Sequence, residues 1–335
     1  MKMRNLAGST VNPLGLGCMN LSHGYSNFPS YADGAKLLRH ALDAGVDHFD
    51  TATLYGRGCN EELVGAALGK RRDDYFLASK CGLEIMAPGE RGRIDGRPET
   101  IRAQAEASLD RLGTDFIDLY YLHRLDPKVP VEESVGALAD LVAEGAIGAI
   151  GLSEVSAATL YRAATEHPIA AVQNEYSLAT RNSELGVLEA CRTLGTAFVA
   201  FSPLSRGFLS GTLLDPSGLP EKDLRHVLPR FTAENYPANL ELLDAVRGVA
   251  ERLDVTCSQL ALAWLLAQGD HVHAIPGTTN TGHLDENLGA GSIALDDATT
   301  AEIGAIINSQ TMHGARYNAG QQQTIDTEEF AAAQT

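Results

Sequence analysis

Seven short, apolar, β-prone runs recur along this chain, spaced by helical patterns. The runs are Val46–Phe49, Tyr75–Ser79, Phe116–Leu122, Ala146–Gly151, Ile169–Asn174, Ala197–Phe201 and His271–Ile275. The first helical pattern, Ala32–Ala44, sets Leu37, Leu38, Ala41 and Leu42 on one face and stops at Gly45. Glu61–Leu68 (with Asn60 read as its N-cap), Pro98–Leu112, Val131–Ala143, Ala157–Thr165 and Glu184–Thr193 fill the next gaps. Ala238–Leu253 and Ser258–Gln268 precede the last strand, and Thr281–Gly289 and Asp296–Asn308 follow it. Connections of this length make right-handed crossovers, so the strands should lie parallel. One more strand in the Gly- and Pro-rich opening, Val11–Cys18, brings the count to eight, which favours a closed barrel over an open sheet.

The expectation is therefore an α/β protein: a (β/α)8 barrel with two extra helices and a C-terminal tail over residues 309–335 covering the barrel mouth. No compositional boundary divides it, so residues 1–335 read as a single domain. No GxGxxG follows an early strand and no GxxxxGK[ST] occurs, so Rossmann and P-loop signatures are both missing.

Charge narrows the function. The 26 Lys and Arg face 43 Asp and Glu, for a net charge of −17, a surface that repels nucleic acid and anionic membrane. No apolar run is long enough to span a bilayer, and MKMRNLAGST lacks the apolar core of a signal peptide, so a cytoplasmic location is expected. The 5 cysteines are scattered without metal-ligand spacing, so no metal is expected.

The chemistry collects at strand ends. Three runs deliver Asp50, Lys80 and His123, and Tyr55 lies just beyond the first. Singly, each has a plain structural explanation: a helix cap, a snorkelling lysine, a core histidine or a loop aromatic. On adjacent strands of one barrel they converge. A tyrosine with a pKa of about 10 donates its proton poorly at neutral pH, and a neighbouring ammonium is expected to lower that value. A buried carboxylate keeps the ammonium charged, and an imidazole can hydrogen-bond a carbonyl oxygen as charge builds there. The set suits carbonyl reduction: Tyr55 as acid, Lys80 tuning it, Asp50 anchoring Lys80 and His123 positioning the carbonyl.

Around these residues the chain resembles the aldo-keto reductases. The matching stretches are HFDTATLYG with NEELVGAAL, FLASKCG, DLYYLHR, IGLSEVS, AVQNEYSL, AFVAFSPLSRGFLSG and IPGTTNTGHLDENLGA, in order from Val11 to Asn308. Within the family it is most similar to a group that includes bacterial pyridoxal reductases and plant perakine reductases. The resemblance implies the tetrad Asp50, Tyr55, Lys80 and His123 and an extended NAD(P)(H) across the strand ends. It implies Ser153 and Gln173 for the nicotinamide carboxamide, Phe201 stacked on the ring, and Ser202, Leu204, Arg206 and Gly207 over the pyrophosphate. Gly17, Met19 and Asp50 are assigned to the cofactor as well. Ile275–Asn287 matches the adenosine site, with Ile275, Gly277, Thr278, Thr279, His283, Glu286 and Asn287 as contacts. Glu154 stands where many members have Asn.

Family habit points to NADP(H). Yet residues 277–283 carry no fixed positive charge for a 2′-phosphate, which keeps NAD(H) open. Arg225 and Arg230 are the candidate cations from the other side, and His283 is a titrating one. Met19, Asn20, Leu54, Tyr55, Met86, His123 and Arg124 are expected to wall the substrate site, together with the tail near Met312–Tyr317, where Arg316 adds charge. Arg124 could equally be tied to Asp126. The alternatives to a reductase are a non-catalytic, cofactor-sensing partner subunit resembling potassium-channel β subunits, and a barrel isomerase or lyase using Lys80 as a Schiff base. A homo-oligomer is left open.

Overall fold

In the computed structural model, which describes residues 2–85 and 93–330, the chain opens with an antiparallel hairpin, β1 (Arg4–Leu6) and β2 (Ser9–Val11). Eight parallel strands follow: β3 (Leu16–Gly17), β4 (His48–Asp50), β5 (Phe76–Cys81), β6 (Leu119–Leu122), β7 (Ile150–Ser153), β8 (Ala171–Glu175), β9 (Ala197–Phe201) and β10 (Val272–Ala274). They pair in sequence order. A parallel bridge from Leu14 to Ala274 joins the last strand to the first, with the Gly15 N–H donating to the Ala274 carbonyl at 2.9 Å. The sheet thereby curls into a barrel.

Helices α1 (Tyr31–Asp43), α2 (Cys59–Leu68), α3 (Pro98–Leu112), α4 (Val131–Ala143), α5 (Ala157–Glu166) and α6 (Val187–Leu194) fill the first crossovers. α7 (Tyr236–Arg252) and α8 (Cys257–Leu266) lie before β10, and α9 (Thr281–Gly289) and α10 (Asp297–Ile306) after it; a short α11 (Ala319–Gln322) sits in the tail. Local chemistry explains the ends. Pro98 opens α3 where an N–H would be orphaned, and Gly113 closes it at φ 65°. Thr256 and Gln259 form a reciprocal capping box on α8.

Two apolar layers result. Leu37, Leu38, Ile101, Val135, Leu138 and Leu160 pack helices on the outside of the sheet. Phe76, Ala78, Leu119, Tyr121, Ala197 and Val199 fill the barrel, and Leu6 and Val11 of the hairpin join them. Because Phe76 and Ala197 begin their strands, the hairpin closes the end of the barrel opposite the strand C-termini.

Helix α2 meets α3 at Gly65, where an added Cβ would lie 2.3 Å from the Leu112 carbonyl oxygen. Gly65→Ala is therefore expected to destabilise the protein by about 1–3 kcal/mol despite alanine's better helix propensity. A urea midpoint equal to the parent's would show that the helix pair has slack.

Candidate active site

Asp50, Lys80 and His123 sit at the C-terminal ends of adjacent strands, and Tyr55 lies in the loop that follows the first of them. Asp50 ends β4 and pairs in register with Ala78, so Lys80, two residues along β5, faces the same side of the sheet. The intervening loop is tied to β5: the Thr51 N–H donates to Ala78 O at 2.9 Å and the Thr53 N–H to Lys80 O at 3.2 Å. Gly56, Arg57 and Gly58 then take φ values of 56°, 60° and 94°, which turns the chain from Tyr55 into α2. Gly56 is required there, because a Cβ would lie 2.6 Å from Ser22 Oγ. Gly58, not Asn60, is the N-cap of α2. Asn60 lies inside that helix, donating to Cys18 O at 2.9 Å and Ser22 Oγ at 2.7 Å and accepting from the Thr51 hydroxyl at 2.7 Å. Its side chain ties the turn after β3 to the loop after β4, a tertiary job invisible to local pattern.

The Lys80 ammonium is buried, ion-paired with Asp50, and donates to Thr51 O at 2.8 Å and to Tyr55 Oη at 3.3 Å. The Gln173 amide donates to the other Asp50 oxygen at 2.7 Å. The phenol ring of Tyr55 lies between two imidazoles, stacked on His23 at 5.7 Å and edge-on to His123 at 5.9 Å. Burial alone would pull the Lys80 ammonium down, but Asp50 and Tyr55 outweigh it and raise the group above lysine's ordinary value. The expectation for Tyr55 needs correcting. Burial raises its phenol above the ordinary value, and the Lys80 ammonium pulls it back only in part. Burial also pushes His123 well below its usual range, assisted by Arg124 and Lys80, so its ring is neutral near pH 7. His123 Nδ1 is sealed from solvent without a partner among the described residues, which leaves Nε2 as the nitrogen open to the cleft.

These groups open into a cleft of about 730 Å³, a size ordinary for a ligand site. Gly17, Met19, Asn20, Asp50, Leu54, Tyr55, His123, Arg124, Ser153 and Gln173 line it at the strand ends. Phe201, Ser202, Leu204, Arg206, Gly207 and Arg225 continue it, and Ile275, Gly277, Thr278, Thr279, His283, Glu286 and Asn287 form its far end. Met86 lies outside the described residues. His23, Tyr25, Asn27 and Gln321 also line the cleft and were not anticipated. The Gly24 turn that carries His23 and Tyr25 inward (φ 78°) was the one signal available in that stretch.

Several charged groups stand elsewhere than expected. Arg230 does not reach the cleft; it is buried, donating to the Thr180 hydroxyl at 2.6 Å and to Gly314 O at 3.4 Å. Arg316 is not a free wall charge, because Glu154 and Glu175 hold it. Arg206 lines the cleft but spends its guanidinium on Glu175, in two bonds of 2.8 Å each. Arg225 is held by Asp223, at 2.8 and 2.7 Å. Arg124 is not tied to Asp126; it donates to His123 O at 2.6 Å and Ser153 Oγ at 3.3 Å, while Asp126 accepts the Gly96 and Lys128 N–H groups.

Comparison with known proteins agrees with this geometry. The model of the Aldo/keto reductase family matches residues 13–308. The NADP(+) aldo-keto reductase yakc of Schizosaccharomyces pombe is 42% identical over 322 residues, covering 95% of this chain and 94% of that protein. A probable aldo-keto reductase of Glycine max is 41% identical, covering 93% and 90%. Among solved structures, the glycerol dehydrogenase of Gluconobacter oxydans superposes with a TM-score of 0.85 at 28% identity, covering 91% of this chain and 94% of its own. The aldo/keto reductase of Klebsiella pneumoniae, solved with NADP and acetate, has a TM-score of 0.71 at 26% identity, covering 94% and 99%. With its eight-stranded barrel, its strand-end acid–base groups and a family match over most of its length, the chain belongs to the aldo/keto reductase family.

Proposed function

We propose that this protein reduces an aldehyde or ketone to an alcohol, or runs the reverse, with Tyr55 as proton donor and NADP(H) as cofactor. The observation that carries the reading is the buried Asp50–Lys80–Tyr55 chain opening on the cleft beside a neutral His123. The dinucleotide, when bound, supplies a hydride for the carbonyl carbon. The protein's part is the oxygen. His123 Nε2–H hydrogen-bonds the carbonyl oxygen and orients it toward Tyr55. The phenol, kept protonated by burial, gives its proton as negative charge develops, and the Lys80 ammonium stabilises the phenolate left behind. Asp50 keeps that ammonium charged in an apolar surrounding.

The residues present fit a dinucleotide. Ser153 has a hydroxyl to offer, no described residue donates to Gln173 Oε1, and together they match the donor and acceptor needs of a carboxamide. Phe201 supplies a π face at the end of β9. NADP(H) is favoured by the relative named for NADP(+) and by the solved relative that holds NADP. Arg225 lies over the 202–207 loop, its Nη1 3.3 Å from Arg206 O, so it serves the pyrophosphate common to both dinucleotides. Thr279 and His283, at the start of α9, are the donors left for a 2′-phosphate.

Fluorescence titration with NADPH and NADH, followed by a carbonyl panel with the tighter one, tests the reading. Tighter NADPH binding and its oxidation by at least one aldehyde or ketone are expected. Tight binding with no turnover across the panel would favour a cofactor-sensing subunit instead. Arg225→Met should weaken both dinucleotides alike, whereas His283→Ala should weaken NADPH and spare NADH. Equal losses for both cofactors in His283→Ala would remove it from the 2′-phosphate site.

A further inference from the structure

Glu154 follows β7 in a left-handed backbone conformation, φ 57°. A branched or long side chain is strained there, and Asn is the non-glycine residue that tolerates it best. The chain thus carries a buried, strained glutamate where an asparagine would sit more easily, and an outlier of this kind asks for a compensating role.

Its contacts supply one. Glu154 Oε1 accepts the Glu175 N–H at 2.8 Å, and Oε2 accepts Arg316 Nη2 at 2.5 Å. Arg316 Nε also donates to Glu175 Oε2 at 2.8 Å, and Glu175 in turn takes both bonds from Arg206. The ends of β7 and β8 therefore deliver Glu154 and Glu175 to one guanidinium from the tail, and the loop after β9 adds Arg206 on the far side of Glu175. All four side chains are nearly sealed from solvent, none more than 7% exposed. Arg316 lies beyond residues 13–308, the part matched by the family model.

The next residue shows what the cluster holds in place. Tyr317 lines the cleft, and its ring is gripped by two guanidiniums, Arg316 at 4.5 Å and Arg206 at 5.2 Å from the ring centre. Further along, Asp326 accepts from Ser156 N and Thr159 Oγ1 at 3.0 and 2.7 Å, and its own N–H donates to Glu154 O at 3.0 Å. Glu328 accepts the Ala157 N–H at 2.8 Å. The tail is thus fastened at the start of α5 as well, and around Asn239, which donates to His313 O at 3.0 Å and accepts its N–H at 2.9 Å, but the Glu154–Arg316 pair is the ion pair that stands directly beside Tyr317.

We propose that Glu154 and Arg316 are positioning residues that latch the C-terminal segment to the barrel and hold Tyr317 as a fixed wall of the substrate site. Neither touches the reacting atoms. Their effect passes through Tyr317, and the proposal rests on the reductase reading for its kinetic consequence but not for its structural one.

The variants to compare in the full-length chain are Glu154→Asn, Arg316→Met, their double variant and Tyr317→Leu. Glu154→Asn relieves the backbone strain, so it should fold as the parent does and bind NADPH within about threefold of it. Its tail should be cut by chymotrypsin after Tyr317 at least tenfold faster than the parent's. KM for the carbonyl should rise about tenfold or more in Glu154→Asn and Arg316→Met, with kcat changed much less. The double variant should be no worse than Arg316→Met, because the Glu154 carboxylate reaches the tail through Arg316. Tyr317→Leu should raise KM while leaving the tail uncut at its other sites. Parent-like proteolysis of Glu154→Asn would overturn the latch. Faster cleavage with an unchanged KM would overturn its role in the substrate wall. If the parent turns over no carbonyl, the reduction reading fails and the proteolysis comparison still decides the latch.

Discussion

Tyr55→Phe is expected to lower kcat by about 10²–10⁴-fold, the usual worth of a positioned general acid. Phenylalanine keeps the ring between His23 and His123, and Lys80 retains Asp50 and Thr51 O as partners. The loss should therefore appear in turnover and not in dinucleotide affinity. Only one proton donor is removed, and nothing else at 3.3 Å from Lys80 replaces it. Stopped-flow or steady-state rates beside an NADPH titration would separate the two quantities. Activity near that of the parent would transfer the acid role to another group and remove the central step of the proposed mechanism. It would also revive the Schiff-base alternative, in which Lys80 is the reactive group and Tyr55 is spare.

The second large effect concerns acid stability. Burial drives His48 and His273 down to about 3, and His123 well below its usual range. In the unfolded chain these imidazoles take up protons as pH falls through about 6.5, while in the folded protein they stay neutral. The unfolded state then binds more protons, so stability is complete above about pH 6.5 and is lost as pH falls below it. Each group costs on the order of 1.4 kcal/mol per pH unit, so three together cost about 4 kcal/mol per unit. Against a net stability of about 5–15 kcal/mol, unfolding in mildly acidic solution is the expected result. Glu175, which burial would raise but the Arg206 and Arg316 guanidiniums hold well below the carboxylate range, adds to the loss only at lower pH. Urea midpoints measured from pH 7.5 to 5.0 check this. His48 has no hydrogen-bond partner at either ring nitrogen among the described residues, so His48→Leu should reduce the slope by about one proton. A flat stability profile between pH 6.5 and 5.5 would refute the buried-neutral assignment.

Much of this molecule is legible one element at a time. The helices Pro98–Leu112, Val131–Ala143 and Thr281–Gly289 and the strand Ala197–Phe201 run between the residues that pattern and capping chemistry indicate. Phe116–Leu122 is an instructive shortfall. The continuous strand begins only at Leu119: Phe116 is exposed, and Ile117, though buried, makes a single isolated parallel bridge to Ile147, in the register of the β6–β7 pairing. The hairpin Arg4–Val11 escaped notice because three-residue strands are too short to show a period. That Asp50, Lys80 and His123 would meet follows from topology: side chains at the C-terminal ends of neighbouring parallel strands have nowhere else to go.

What the linear chain determined was therefore the order of strands and helices and the residue type delivered at each strand end, since both depend on apolar periodicity and local backbone preference. Which charges pair was decided only by the folded structure. Arg230 goes to Thr180, Arg316 to Glu154 and Glu175, Arg206 to Glu175 and Arg225 to Asp223, and those choices set what is left for a ligand. So was the sign of the shift at Tyr55, where loss of water outweighs a neighbouring ammonium. Pairing and desolvation depend on distances between residues far apart in the chain, and those exist only once the barrel has closed.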